Sequence, residues 1–225
     1  MILKLINRLF FRKIISNYIL KKIKIKREAE INNLPKVSIE KKNIQNGSIL
    51  SNREHLLEVL PKNGVIAELG VDSGHFTEQI IKISNPKKLY LIDTWSSKRY
   101  GQKKFELVKN KFSEEIKNKK IEIIRLSSID AAKQFQNNYF DWIYVDTDHS
   151  YSTTMQELNT YESKIKSNGF ICGHDYVMGN WSKLNKYGVI ESVNEFLVKK
   201  NWKLVYWTSD FTESNSFAIQ RIDKI

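Results

Sequence analysis

The sequence has one cysteine, three prolines and nine glycines among 225 residues. The single cysteine, Cys172, excludes an internal disulfide framework; set in an apolar run, it reads as a buried thiol suited to a reducing interior. The scarcity of proline and glycine excludes collagen-like and low-complexity architectures. Disorder throughout is excluded as well, because 41% of residues are hydrophobic and 12% aromatic. The length suits one complete domain with a short appendage.

Long uncharged runs are missing too. Residues 1–27 carry nine Lys or Arg and no acid, and their longest uncharged stretch is Ile14 to Leu20. A membrane-spanning helix needs about 20 nearly uncharged residues, so none is expected there. Arg8, Arg12 and Lys13 interrupt the place where the apolar core of a cleavable leader would lie, so no leader is expected either. Two readings stay open for this basic segment. It is either an amphipathic helix lying on an anionic membrane surface, or a helix packed on the domain or on a second copy in a homo-oligomer.

What is present is a net charge of +12, which resembles a nucleic-acid signature until it is mapped. Residues 1–53 hold 13 basic against 3 acidic residues, and the other 172 hold 24 against 22. The basicity belongs to the arm, and the nearly neutral body argues against a nucleic-acid partner. Residues 28–50, with Pro35 and an Asn46-Gly47 turn signal, read as a linker. The expected organisation is thus an arm and linker at 1–50 and one domain at 51–225.

The body alternates strand and helix. Apolar runs at 65–69, 89–92, 121–126, 142–145 and 170–172 read as buried strands. Helical spacings fall at 53–60, 75–84, 103–117, 128–135, 152–165 and 189–199. Two alternating runs, 202–207 and 216–221, close the chain with no helix between them. The expected fold is α/β: a doubly wound, Rossmann-like, seven-stranded and mostly parallel sheet, with a C-terminal antiparallel hairpin at one edge. Ligands of such sheets bind at the carboxyl ends of the strands.

The first strand ends in Glu68-Leu-Gly70-Val-Asp-Ser-Gly74 and opens directly into a helix. Glycines there let the backbone turn sharply beside a ligand. The four-residue spacing of Gly70 and Gly74 does not match the dinucleotide fingerprint G-x-G-x-x-G. The second strand ends in Asp93, 23 residues beyond Gly70, where an acid can accept hydrogen bonds from ribose hydroxyls. Together these features favour a nucleoside ligand.

ELGVDSG after an apolar strand, followed by LYLIDTW, resembles the S-adenosylmethionine-binding half of a class I methyltransferase, and the resemblance covers residues 51–221. It implies that Gly70 and Gly74 line the cofactor loop, that Glu68 supports it and that Asp93 holds the ribose diol. It also implies that Ser127 and Ser128 meet the adenine.

A second constellation stands at the fourth and fifth strand ends: Asp146-Thr-Asp-His149 and His174-Asp175. Oxygen ligands at neighbouring strand ends are how a hard divalent cation is held. The pairing resembles the metal-dependent small-molecule O-methyltransferases, in the branch with macrolide-sugar methyltransferases and cephalosporin-hydroxylase-like proteins. The resemblance implies Asp146 and Asp175 as ligands of Mg²⁺ or Mn²⁺ and His149 as the catalytic base. His174 joins the metal set where that branch often has Glu, and imidazole suits Mn²⁺, Fe²⁺ or Zn²⁺ better than Mg²⁺. The segment 176–188 reads either as a lid, with Trp181 and Tyr187 stacking on a sugar or ring, or as a plain connection.

The expected function is methyl transfer from S-adenosylmethionine to a hydroxyl of a small molecule or glycan. It would take place in the cytoplasm, or at the inner membrane face if the arm binds there. Two competing classes are an RNA-binding protein or RNA methyltransferase using the arm, and a nicotinamide-dependent oxidoreductase; the neutral body opposes the first, and the glycine spacing and terminal hairpin oppose the second.

Overall fold

The computed structural model describes residues 2–180 and 184–222, with side chains from residue 13 onward. The chain begins with helix α1 (Ile2–Asn32) and reaches a short strand β1 (Ser48–Leu50). Then follow α2 (Arg53–Val59), β2 (Val65–Leu69), α3 (His75–Gln79), β3 (Lys88–Ile92), α4 (Gln102–Lys111), α5 (Ser113–Lys117) and β4 (Ile121–Ile124). Next come α6 (Ser128–Ala131), β5 (Phe140–Val145), α7 (Tyr151–Glu162) and β6 (Ile165–Gly173). A small ribbon of β7 (Gly179–Asn180) and β8 (Asn185–Lys186) leads to α8 (Val189–Lys200), β9 (Trp202–Thr208) and β10 (Phe217–Arg221).

Eight strands form the main sheet in the order β1-β9-β10-β6-β5-β2-β3-β4. β4, β3, β2, β5 and β6 run parallel, whereas β10 is antiparallel to both β6 and β9. The C-terminal hairpin is therefore present, but it does not form the edge. β1 pairs parallel with β9 beyond it and makes the eighth strand. A three-residue strand inside a polar stretch has no periodicity to betray it.

The linker is also pinned. Buried Asn43 donates from Nδ2 to the carbonyls of Leu197 (3.1 Å) and Trp202 (2.7 Å), which ties it to the α8–β9 junction. The expected helix at 103–117 is split at Phe112, whose φ of −107° interrupts the helical path between α4 and α5.

Strand alternation divides the core into two layers. Ala67 and Leu69 of β2, with Ile143 and Val145 of β5, pack against Leu158 and Tyr161 of α7 and Phe196 of α8. Ile66 of β2, with Trp142 and Tyr144 of β5, packs on the other face against Leu56 of α2, Phe76 of α3 and Val108 of α4. Covering both faces is what a parallel sheet requires. Cys172 is buried and free, as the sequence suggests.

Helix α1 stands apart from this core. Residues 13–22 are exposed, including Ile14, Ile15, Tyr18, Ile19 and Leu20. Only toward its C-terminal end do Ile23, Arg27, Glu30 and Ile31 become half-buried, at the spacing of one helical face. Among the described residues, no helix is long and apolar enough to cross a membrane.

Candidate active site

The carboxyl ends of β2, β3, β4 and β5 open into one cleft of about 530 Å³, lined by Glu68, Gly70, Asp93, Ser127, Ser128, Asp146 and His149 among others. This volume lies within the ~300–1,000 Å³ usual for small-molecule and cofactor sites. Another groove of about 520 Å³, along the β4 edge at Lys88, Phe105 and Arg125, has neither the glycine loop nor the acid–histidine cluster among its lining residues.

Gly70 has φ +88° and Gly74 +74°, a backbone region that L side chains avoid. A Cβ on Gly70 would lie 1.9 Å from the carbonyl oxygen of Asp146, and one on Gly74 would lie 2.7 Å from the Phe112 ring. The glycines are thus demanded first by close packing of the β2 end against the β5 end and α4. Glu68 is buried beneath the loop, where Thr77 donates a 2.6 Å hydrogen bond to it. Burial pushes its carboxyl up to about 8, so at neutral pH it is mostly protonated.

Asp93 organises the loop directly. Its Oδ2 accepts from the backbone N–H of Val71 (2.9 Å) and Asp72 (3.1 Å), and its Oδ1 accepts from that of Trp95 (3.0 Å). Trp95 in turn donates its indole N–H to the Asp72 carbonyl at 2.9 Å. A carboxylate has about four lone-pair sites, so Asp93 can take a ribose hydroxyl only alongside this structural work. Ser127 and Ser128 line the cleft as expected, but their hydroxyls have internal partners. Ser127 caps α6 by accepting from Asp130 N–H, and Ser128 donates to Glu157 at 2.6 Å.

Glu157 is a site residue that the sequence reading missed. It is buried on α7, lines the cleft and accepts from Ser128 and Thr147. Burial pushes its carboxyl up to about 7. Its only sequence signal is an acid placed on the apolar face of α7, one residue before Leu158.

The second constellation does come together. His149 Nε2 lies 3.2 Å from Asp175 Oδ2, and His149 Nδ1 lies 4.0 Å from Asp146 Oδ1. His174 Nδ1 stands 3.7 Å from Asp146 and 3.8 Å from Asp175. Asp146, His149 and Asp175 each offer a ligand atom within 4.8 Å of the others. Two carboxylates and an imidazole make a donor set that fits a divalent cation, most closely Mn²⁺, Fe²⁺ or Zn²⁺.

Charge is concentrated at this end. Burial first, and the neighbouring Asp175 second, push the Asp146 carboxyl up to about 7. Burial pushes the His174 imidazole down to about 4, against the opposing pull of Asp175. His149 and Asp175 both sit in left-handed backbone, with φ of 61° and 56°; Asp72 and Trp95 do the same at the cofactor loop, with φ of 53° and 43°. From the expected lid, Tyr187 packs against His149 with ring centroids 4.8 Å apart, whereas Trp181 lies outside the described residues.

Residues 67–176 match the profile of a family described as a methyltransferase domain. No curated protein sequence matches the chain. Solved structures share its fold. The tRNA methyltransferase TrmK of B. subtilis is 13% identical, with 77% of this chain and 67% of that one covered and a TM-score of 0.55. A ribosomal protein L11 methylase from Lactobacillus delbrueckii is 14% identical, with 73% and 72% covered and a TM-score of 0.51. A Streptococcus mutans protein solved in complex with S-adenosylhomocysteine is also 14% identical, with 74% and 93% covered and a TM-score of 0.53. The matched segment runs from the glycine loop to the acid–histidine cluster, so the profile of a methyltransferase domain spans the whole candidate site, and the fold around it is one that solved methyltransferases share.

Proposed function

We propose that this chain is an S-adenosylmethionine-dependent methyltransferase of class I that O-methylates a hydroxyl of a small molecule or saccharide, with a divalent cation held by Asp146 and Asp175 and with His149 as the base. The observation that carries this reading is the convergence of Asp146, His149, His174 and Asp175 beside the glycine loop. The lining of the cleft supports a non-phosphate acceptor. Six acids (Glu68, Asp72, Asp93, Asp146, Asp148 and Glu157) face Arg53, its only Lys or Arg among the described residues. With a single guanidinium, the cleft offers little to hold a nucleic-acid backbone.

S-adenosylmethionine supplies a methyl group on a positively charged sulfur, and the bound cation would lower the pKa of an acceptor hydroxyl. The remaining work falls to the chain. Asp175, 3.2 Å from His149 Nε2, orients the imidazole and stabilises it once protonated, so that His149 can take the hydroxyl proton at its other nitrogen. Tyr187 packs its ring against the imidazole of His149 and shields one side of it.

The distances also allow His149 to be a ligand, and one experiment separates the roles. Mn²⁺ binding is measured by calorimetry on the wild type, Asp146→Asn, Asp175→Asn and His149→Ala. The proposal expects loss of Mn²⁺ in the two Asn variants and retention in His149→Ala, with S-adenosylhomocysteine bound by all four. Loss of Mn²⁺ in His149→Ala makes His149 a ligand, and no binding by the wild type removes the metal.

The arm remains a separate question. The exposed Ile14, Ile15 and Ile19 among nearby lysines support contact with an anionic membrane surface, which co-sedimentation with phosphatidylglycerol vesicles would test.

A further inference from the structure

On the cofactor assignment proposed above, Asp93 takes the ribose, and the nucleoside half lies over the ends of β3 and β4, which line the cleft. The sheet order β4-β3-β2-β5-β6 then leaves the end of β2 and the flank of β5 for the amino-acid half. That half ends in a carboxylate and an ammonium group. The region is acidic and calls for a cation if it is to hold a carboxylate. Arg53, the first residue of α2, is the Lys or Arg that lines the cleft.

Its side chain is placed with care. The guanidinium stacks over the Phe76 ring at 4.7 Å. Its Nη2 donates to Glu213 Oε1 at 3.0 Å, while Nε stands 2.8 Å from Glu213 Oε2. Glu213 lies in the β9–β10 loop, which also reaches the acid–histidine cluster: Asn215 O accepts from Tyr176 N–H at 2.9 Å. Ring and carboxylate thus fix one face and one edge of the guanidinium. Among the described residues, Nη1 makes no hydrogen bond. The side chain is 20% exposed, enough for that edge to meet a ligand in the cleft. A guanidinium offers a second fork to a second carboxylate, which an ammonium of lysine does not.

We propose that Arg53 binds the carboxylate of the cofactor's amino-acid end through its Nη1 edge, with Glu213 as the positioning residue that holds the guanidinium in place. The proposal rests on the S-adenosylmethionine dependence proposed above, and it adds the carboxylate contact of that cofactor.

The test is calorimetric and needs no acceptor. S-adenosylhomocysteine is titrated into the full chain beside its decarboxylated analogue, which keeps the adenine, ribose, thioether and amine. The wild type is expected to prefer the intact ligand by roughly 10- to 100-fold, the range for a hydrogen bond to a charged group. Arg53→Gln should lose that preference while binding the analogue as before, and Arg53→Lys should keep part of it. Glu213→Gln should weaken only the intact ligand, and it should have no effect in the Arg53→Gln background. Equal binding of both ligands by the wild type overturns the proposal without touching the cofactor assignment. So does an Arg53→Gln variant that keeps the preference, which would leave Arg53 to an acidic acceptor or to the loop alone. A parallel loss of both ligands in Arg53→Gln and Arg53→Lys overturns it in favour of a structural role. A wild type that binds neither ligand removes the cofactor assignment and the proposal together.

Discussion

The two halves of the cleft are built from the same strand ends by opposite means. On the cofactor side the backbone does the work: Asp93 accepts three loop N–H groups, and Gly70 N–H bonds back to Ile92 O. On the acid–histidine side, side chains face one another. Two acids and two histidines lie within 4.0 Å contacts, and Asp146 is pushed up to about 7. The first half is complete as the chain folds. The second gathers like charges that a proton or a cation must relieve, a condition that suits the reacting centre proposed above.

The harshest way to break this contrast is to spoil the place where the halves touch. Gly70→Val puts a branched side chain into the Asp146 carbonyl at a φ of +88°, so both halves should be lost together. Absent S-adenosylhomocysteine binding and a lowered melting temperature would show it; a stable variant that binds the ligand would mean that the β2–β5 contact can relax.

His149→Ala should strike one half only. Turnover should fall by roughly 10²–10⁴, the range of a lost general base, while S-adenosylhomocysteine affinity stays within about threefold. Partial recovery of turnover at high pH would sharpen the case, and an unchanged wild-type rate in chelator would remove the cation from it.

Glu68 tests the cofactor side through pH. Its folded value of about 8 stands above the ordinary 4.5, so the native state keeps a proton that the unfolded chain releases. Stability is therefore highest below the unfolded value and declines as pH rises from about 4.5 to about 8. Glu68→Gln should flatten that decline by roughly 2–4 kcal/mol between the two ends, read from urea melts at pH 5 and pH 8. Parallel curves for variant and wild type would show that the buried carboxyl is not the cause.

The smallest effect is expected at Asp93. Asp93→Ala should weaken S-adenosylhomocysteine by about 1.5–3 kcal/mol. Because the side chain also holds Val71, Asp72 and Trp95, faster amide exchange at those three N–H groups should accompany the loss. Affinity lost with the loop's exchange unchanged would place Asp93 on the ribose alone.

The strand–helix alternation and the position of the glycine-loop cleft are legible in the order of the residues. Buried parallel strands are continuous apolar runs, and a glycine loop followed by an acid is a local pattern that needs no partner to be recognised. The residue order also singles out Asp146, His149, His174 and Asp175, because chemistry-bearing residues at strand ends stand out against apolar neighbours. Other features depend on packing between distant segments. β1 forms because β9 offers an unpaired edge, and Ser48–Leu50 alone have no periodicity to announce it. Glu157 becomes a site residue because α7 packs its apolar face, acid included, against the cleft floor. Arg53 meets Glu213 across 160 positions of sequence, a distance no local pattern spans. Local periodicity encodes which elements form, whereas pairings between distant elements depend on where the sheet order brings them.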